Sequence, residues 1–241
     1  MPNLIQLIAA LERHYGNPPL PPARSLFELV MWENACYLMP DERRAVVFAD
    51  LRANPGLHPE AILSAPDDVL LPIARRGGMR PEIRVQRWRE IARITLSQFA
   101  GNLDQILSLP YAAAGKALRL FPNIGAPGAE KILLFHGVIQ GLPVESNGLR
   151  VLTRVGYGTA TASYAATYRS VRNAIGAQLP RDAAYLAHAH LLLREHGRTL
   201  CRDREPLCGE CPVRGQCMHF RSARGSGPAA AARSAAAGRR V

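Results

Sequence analysis

Four of the five cysteines fall in one short stretch, CRDREPLCGECPVRGQC, at Cys201, Cys208, Cys211 and Cys217. Six, two and five residues separate them, and the intervening Pro, Gly and charged residues favour a loop over a regular element. A dense thiol set of this kind in a chain expected to stay in a reducing compartment points to a metal centre rather than a disulfide framework. Four thiolates hold zinc or a [4Fe–4S] cluster, and ligand type alone does not decide between them. Cys36 stands far away in an apolar helical stretch and reads as a small core residue.

Apolar residues elsewhere recur at three- and four-residue intervals, and strand-like alternation is scarce. The fold class expected is all-α. Leu4, Leu7, Ile8 and Leu11 mark an amphipathic first helix with no basic segment before it, which predicts neither a signal peptide nor a membrane span and leaves a cytoplasmic protein. No stretch reaches the roughly 18 apolar residues a span requires. After the stiff NPPLPP connector, roughly six helical stretches are expected between Arg24 and Gly137. Breaks are predicted near Met39-Pro40, Asn54-Pro55, Arg76-Gly78, Gly101-Asn102 and Phe121-Gly125. Further helices are expected near 148–156, 160–176 and 181–197. Residues 221–241 are low in complexity, with five arginines and no acid, and read as a disordered basic tail. The whole chain carries 30 Lys and Arg against 19 Asp and Glu, a net charge of +11 that favours a polyanionic partner.

The cysteine spacing, C-x6-C-x2-C-x5-C, resembles the [4Fe–4S] loop of endonuclease III-like DNA glycosylases of the helix-hairpin-helix superfamily. The preceding AHAHLLLREHGRTLC (187–201) resembles the helix that enters that loop, and the likeness runs from about Leu26 to Cys217. It implies a two-lobed helical protein: a six-helix domain over 23–138 holding the hairpin at about 111–136, and an iron–sulfur domain from 1–22 and 139–220. Arg202, Arg204 and Arg214 would then face DNA from the cluster loop.

The segment FPNIGAPGAEKILLFHG (121–137) matches the hairpin pattern with Asn123 in place of the first glycine, then Ile124 and Gly125, and Ala129 as the small packing residue. Such a turn aims backbone N–H groups at a phosphate, and Asn tolerates the left-handed conformation better than most residues. The family's lysine nucleophile falls at Pro127, which cannot serve. Lys131 lies one turn, about 5.4 Å, further along the same face. Its apolar neighbours would desolvate it, a condition favouring an amine nucleophile, while pairing with Glu130 or Glu145 is the alternative. In VESNGLR (144–150) the family's catalytic aspartate falls at Glu145, with Asn147 at the usual histidine and Arg150 five residues on; capping the next helix is the other role open to Glu145.

Tyr37 and Leu38 fall where the family faces the orphaned base; Trp32 and Tyr37 could wall a base pocket by stacking, a place in the core being the alternative. Met79 is the candidate wedge into the duplex, with Arg80 beside it for phosphate. The resemblance implies a monomeric base-excision enzyme acting on double-stranded DNA that contains a damaged or mispaired base. Glu145 would stabilise the positive charge developing on the sugar, and Lys131 would be either the Schiff-base nucleophile of a strand-cleaving enzyme or a contact of the base pocket. The alternative is a relative that binds lesion or branched DNA without chemistry.

Overall fold

The structure is a computed structural model that describes residues 3–36, 39–176 and 178–225. Among these residues twelve α-helices and two 3₁₀ turns form and no strand does, as the helical periodicity leads one to expect. The chain divides into two compact units, Pro19–Gln140 and a second made from Met1–Pro18 with Gly141–Val241.

In chain order the helices are α1 (Leu4–Tyr15), α2 (Leu26–Ala35), α3 (Asp41–Ala53), α4 (Pro59–Ser64), α5 (Asp67–Arg76) and α6 (Pro81–Phe99). A 3₁₀ turn over Leu103–Ser108 leads to α7 (Tyr111–Leu118) and α8 (Ala126–Phe135). There follow α9 (Ser146–Val155), α10 (Tyr164–Ile175), α11 (Ala183–Thr199), a short 3₁₀ turn at Arg214–Gln216 and α12 (Met218–Gly225).

Within Pro19–Gln140, α6 is the axis against which α2, α4 and α5 pack. Trp88 lies at its centre, fully buried, and its indole N–H donates to the Asn34 carbonyl at 3.0 Å. Helix α2 is buried at nine of its ten positions, the exception being Glu33. Its N-terminus is secured twice: Ser25 accepts from the Glu28 N–H, and Asp104 accepts from the Leu26 N–H at 2.9 Å across the core. The buried Glu28 carboxylate is satisfied by the Arg24 N–H and by the Arg52 guanidinium at 2.7 Å.

Each predicted break coincides with a helix end, but the structure breaks twice more, at Ala65-Pro66 and Leu109-Pro110. Seven α-helices therefore stand where about six are expected. At both extra breaks proline lacks the N–H that would continue the helix. Proline does not always stop a helix here, since Pro72 lies inside α5 and Pro127 in the first turn of α8.

In the second unit α1 buries the four predicted residues, Leu4, Leu7, Ile8 and Leu11, and packs on α11, which in turn packs on α9. Helix α12 runs to Gly225, so the start of the expected tail at 221 is corrected: Arg221 and the following four residues are helical, and 226–241 lie outside the described residues.

Trp88→Ala removes the largest fully buried side chain and strands the Asn34 carbonyl. It is expected to cost about 3–5 kcal/mol, read as a lowered midpoint in chemical denaturation followed by circular dichroism.

Candidate functional site

The hairpin of the Pro19–Gln140 unit is α7, a turn and α8. Ile124 donates its N–H to the Phe121 carbonyl at 3.2 Å, closing the turn, and its side chain is buried. Asn123 has φ 61, so the left-handed conformation falls on the asparagine that replaces glycine. Gly125 does not share it: its φ is −84, open to any residue. A Cβ there would meet only Pro127 Cδ, at an ordinary 3.9 Å, so the space around Gly125 is open. No side chain caps the α8 N-terminus, so the backbone at Gly125 and Ala126 faces outward uncovered.

Asn34 organises this turn from α2. Its side-chain amide donates to the Val30 carbonyl at 3.1 Å and to the Pro122 carbonyl at 3.0 Å. Its Oδ1 accepts from Asn123 Nδ2 at 3.0 Å. The adjacent Glu33 reaches the other limb of the hairpin: its Oε2 lies 2.7 Å from Lys131 Nζ, with both side chains 15% exposed. Lys131 is thus partly buried, as the apolar neighbours imply, but its carboxylate partner is neither Glu130 nor Glu145.

Between α5 and α6, Arg84 is buried and donates to the Ala74, Gly78 and Met79 carbonyls at 2.7, 3.3 and 3.1 Å. Burial lowers the pKa of this guanidinium from its ordinary value. The hold presents Met79 with 75% of its surface exposed, next to exposed Arg80 in a left-handed conformation. Gly77 is obligatory for this approach, since a Cβ would sit 2.6 Å from the Ala35 carbonyl. Trp32 corrects the expectation of an open pocket wall: it is 8% exposed, packs edge-on against Phe48 at 5.2 Å and lies under the Arg44 guanidinium. Tyr37 lies outside the described residues.

In the second unit Glu145 is the N-cap of α9. Its Oε1 accepts from the Gly148 N–H at 2.9 Å and its Oε2 from Asn147 Nδ2 at 3.0 Å. Asn147 Oδ1 accepts from Arg150 Nη2 at 2.8 Å, and Arg150 also donates to the Gly197 and Cys201 carbonyls at 2.7 and 2.8 Å. A continuous hydrogen-bonded chain therefore runs from the Glu145 carboxylate to the backbone of the first cysteine. It closes because α11 carries glycine at 197, where an added Cβ would meet the Asn147 backbone at 2.6 Å.

Cys201, Cys208, Cys211 and Cys217 line one small pocket, partly open to solvent, whose other walls include Val151, Val155, Leu200, Val213 and Phe220. Arg154 donates to Cys201 Sγ at 3.5 Å and to the carbonyls of Cys201, Arg202 and Asp203, gathering the loop around one guanidinium. His196 Nε2 lies 3.5 Å from Cys211 Sγ, while its Nδ1 meets the Tyr15 hydroxyl at 2.9 Å. Burial pushes the His196 imidazole down to about 4 and the Cys211 thiol up to about 11. Among the described residues no three His, Cys, Asp or Glu side chains are grouped for a single metal ion. An all-sulfur donor set in apolar walls does fit a polynuclear iron–sulfur group, whose positive charge would offset the burial of thiolates. Arg202, Arg204 and Arg214 are exposed on this loop.

No family model matches the chain. It is 20% identical over 198 residues to Endonuclease III of Sulfolobus acidocaldarius, covering 82% of this chain and 83% of that one. It is 31% identical over 105 residues to Endonuclease III of Rickettsia conorii, a match spanning 44% of this chain and 47% of the relative. A non-covalent Endonuclease III–DNA complex superposes with a TM-score of 0.71 at 16% identity, over 93% of this chain and 99% of that one, and so shares the fold. The chain is thus similar to Endonuclease III over most of its length and shares that protein's fold.

Several residues that hold these sites together are ones that sequence reasoning passed over. Glu33 and Asn34, with Glu28 at the start of the helix, are the polar residues of a largely apolar α2, a signal legible in FELVMWENA. Arg84, Arg154 and Gly197 left no such mark, because their roles arise only when distant backbone carbonyls or helices meet. Gly197→Ala is expected to force α9 and α11 apart and destabilise the protein by about 3 kcal/mol. Thermal denaturation measures the loss, and a variant as stable as wild type would contradict the close approach.

Proposed function

We propose that this chain is a base-excision-repair DNA glycosylase that extrudes a damaged or mispaired base from duplex DNA and cleaves its N-glycosidic bond. The observation that carries the reading is Glu145, a carboxylate fixed by Gly148 and Asn147 and joined through Arg150 to the cysteine loop. Relatives named Endonuclease III and adenine DNA glycosylase, and solved neighbours that include a 3-methyladenine DNA glycosylase bound to 1,N6-ethenoadenine, support the reaction class. An intact carboxylate network favours an active enzyme over a binder that has lost its chemistry.

As the glycosidic bond breaks, positive charge develops on the sugar, and the Glu145 carboxylate stabilises it electrostatically. Its hydrogen bonds from Ser146, Asn147 and Gly148 orient the carboxylate in advance, so little reorganisation is needed at the moment of reaction. Asn147 holds Glu145 from one side and takes its own position from Arg150. The Asn123–Gly125 turn and the uncovered start of α8 offer backbone N–H groups to a phosphate, Met79 enters the stack beside the lesion, and Arg80 takes a neighbouring phosphate. A duplex with its anionic backbone also suits the charge of +11. Acting on DNA places the protein inside the cell, with the nucleoid.

Lys131 is assigned a structural part. Its ammonium is paired with Glu33 at 2.7 Å, which ties α8 to α2 and opposes release of a free amine. Excision by water attack, without a Schiff base, follows from this. Cys201, Cys208, Cys211 and Cys217 hold a [4Fe–4S] cluster, which would order the loop bearing Arg202, Arg204 and Arg214.

Glu145→Gln is expected to lower excision at least about 100-fold while duplex affinity stays within a few-fold, measured over duplexes carrying uracil and oxidised, alkylated and mismatched bases. Borohydride added during turnover is expected to trap no covalent complex. An adduct that vanishes in Lys131→Ala would return the nucleophile's role to that lysine. Purified protein is expected to be brown and to contain iron and acid-labile sulfide, with Cys208→Ser losing both.

A further inference from the structure

Asn34 is the most connected buried polar side chain beside the hairpin, and the proposed chemistry does not use it. It is 4% exposed, and each of its side-chain polar atoms has a protein partner: Val30 and Pro122 carbonyls for the amide N–H groups, Asn123 Nδ2 for the oxygen. Its own carbonyl accepts from Trp88 Nε1, so α2 and α6 fix its place independently of the turn. Two of its three side-chain bonds go to Pro122 and Asn123, the residues that enter the left-handed step.

That step is where the chain departs from the glycine its family uses. A non-glycine residue at φ 61 carries a steric cost. Glycine would take the conformation freely, whereas asparagine needs something to hold it. Asn34 supplies the hold from both sides, accepting from the Asn123 side chain and donating to the carbonyl just before it. The Asn123 amide is thereby engaged inward, while Asn123 and Gly125 on either side of the buried Ile124 stay exposed.

We propose that Asn34 is a positioning residue for duplex binding: buried in α2, it locks Asn123 in the left-handed conformation and so aims the hairpin backbone at a DNA phosphate. The inference rests on the hairpin reading given above and deepens it. Asn34 touches no DNA and acts only through the turn. It makes a paired prediction that a purely structural asparagine would not: glycine at 123 makes Asn34 dispensable, and alanine at 123 does not.

The test is equilibrium binding of the full-length, metal-loaded protein to an undamaged 20-base-pair duplex across a salt series, which reads affinity and the number of phosphates engaged without any excision. Asn34→Ala is expected to weaken binding about tenfold and to reduce the slope of log K against log salt by about 0.9, the loss of one phosphate contact. Asn123→Gly is expected to bind as wild type does, and Asn34→Ala combined with Asn123→Gly to recover wild-type slope. Should Asn34→Ala not fold, Asn123→Ala carries the same expected loss against Asn123→Gly. An unchanged slope in Asn34→Ala or Asn123→Ala, or a folded double variant that is not rescued, overturns the positioning role and leaves the glycosylase reading standing. A wild-type protein that binds no duplex at any salt overturns both.

Discussion

The Arg150 guanidinium carries the arrangement of the second unit. It satisfies the carbonyls of Gly197 and Cys201 at the end of α11 and, through Asn147, steadies Glu145 at the start of α9. A planar, permanently charged group with several donors can bridge three acceptors at once, which a lysine could not do in the same geometry. The reach depends on the closeness of the two helices, and that depends on Gly197. A carboxylate suited to the reaction and a loop suited to a metal cluster are thus parts of one hydrogen-bonded structure. Arg154 repeats the device four residues later, at the next turn of α9, for the carbonyls that follow Cys201.

The hairpin unit solves a similar problem by other means. Helix α2 is nearly all apolar, yet it spends two adjacent positions on polar side chains that reach opposite limbs of the hairpin: Asn34 the turn and Glu33 the helix behind it. Buried polar groups are tolerable only when their partners are complete, and the partners of Asn34 are. The Glu33–Lys131 pair is held in largely dry surroundings, where breaking it by removing one partner would leave an unpaired charge. In a chain with only two lysines, Lys116 and Lys131, that one of them is committed in this way is a strong statement about its role.

Much of the fold was legible because it rests on local rules. The recurrence of Leu4, Leu7, Ile8 and Leu11 named the buried face of α1, and Pro and Gly marked most helix ends. Pro66 and Pro110 were overlooked although the same rule applies to them. Asn123 was readable as a left-handed residue, and it has φ 61. Trp32 admitted two readings in sequence, because an aromatic side chain in an apolar helix has the same pattern whether it packs on Phe48 or lines a cleft.

What the sequence by itself determined was the helical class, the grouping of four thiols, the hairpin's place and the register that puts a carboxylate at 145. These follow from short-range spacing, and spacing survives without knowledge of the partners. Only the tertiary structure decided which charges meet. Lys131 lies 98 residues from Glu33, and Arg150 lies 47 and 51 residues from the carbonyls it holds. An ion pair or a buried hydrogen bond is set by distance in space, and no periodicity along the chain encodes it.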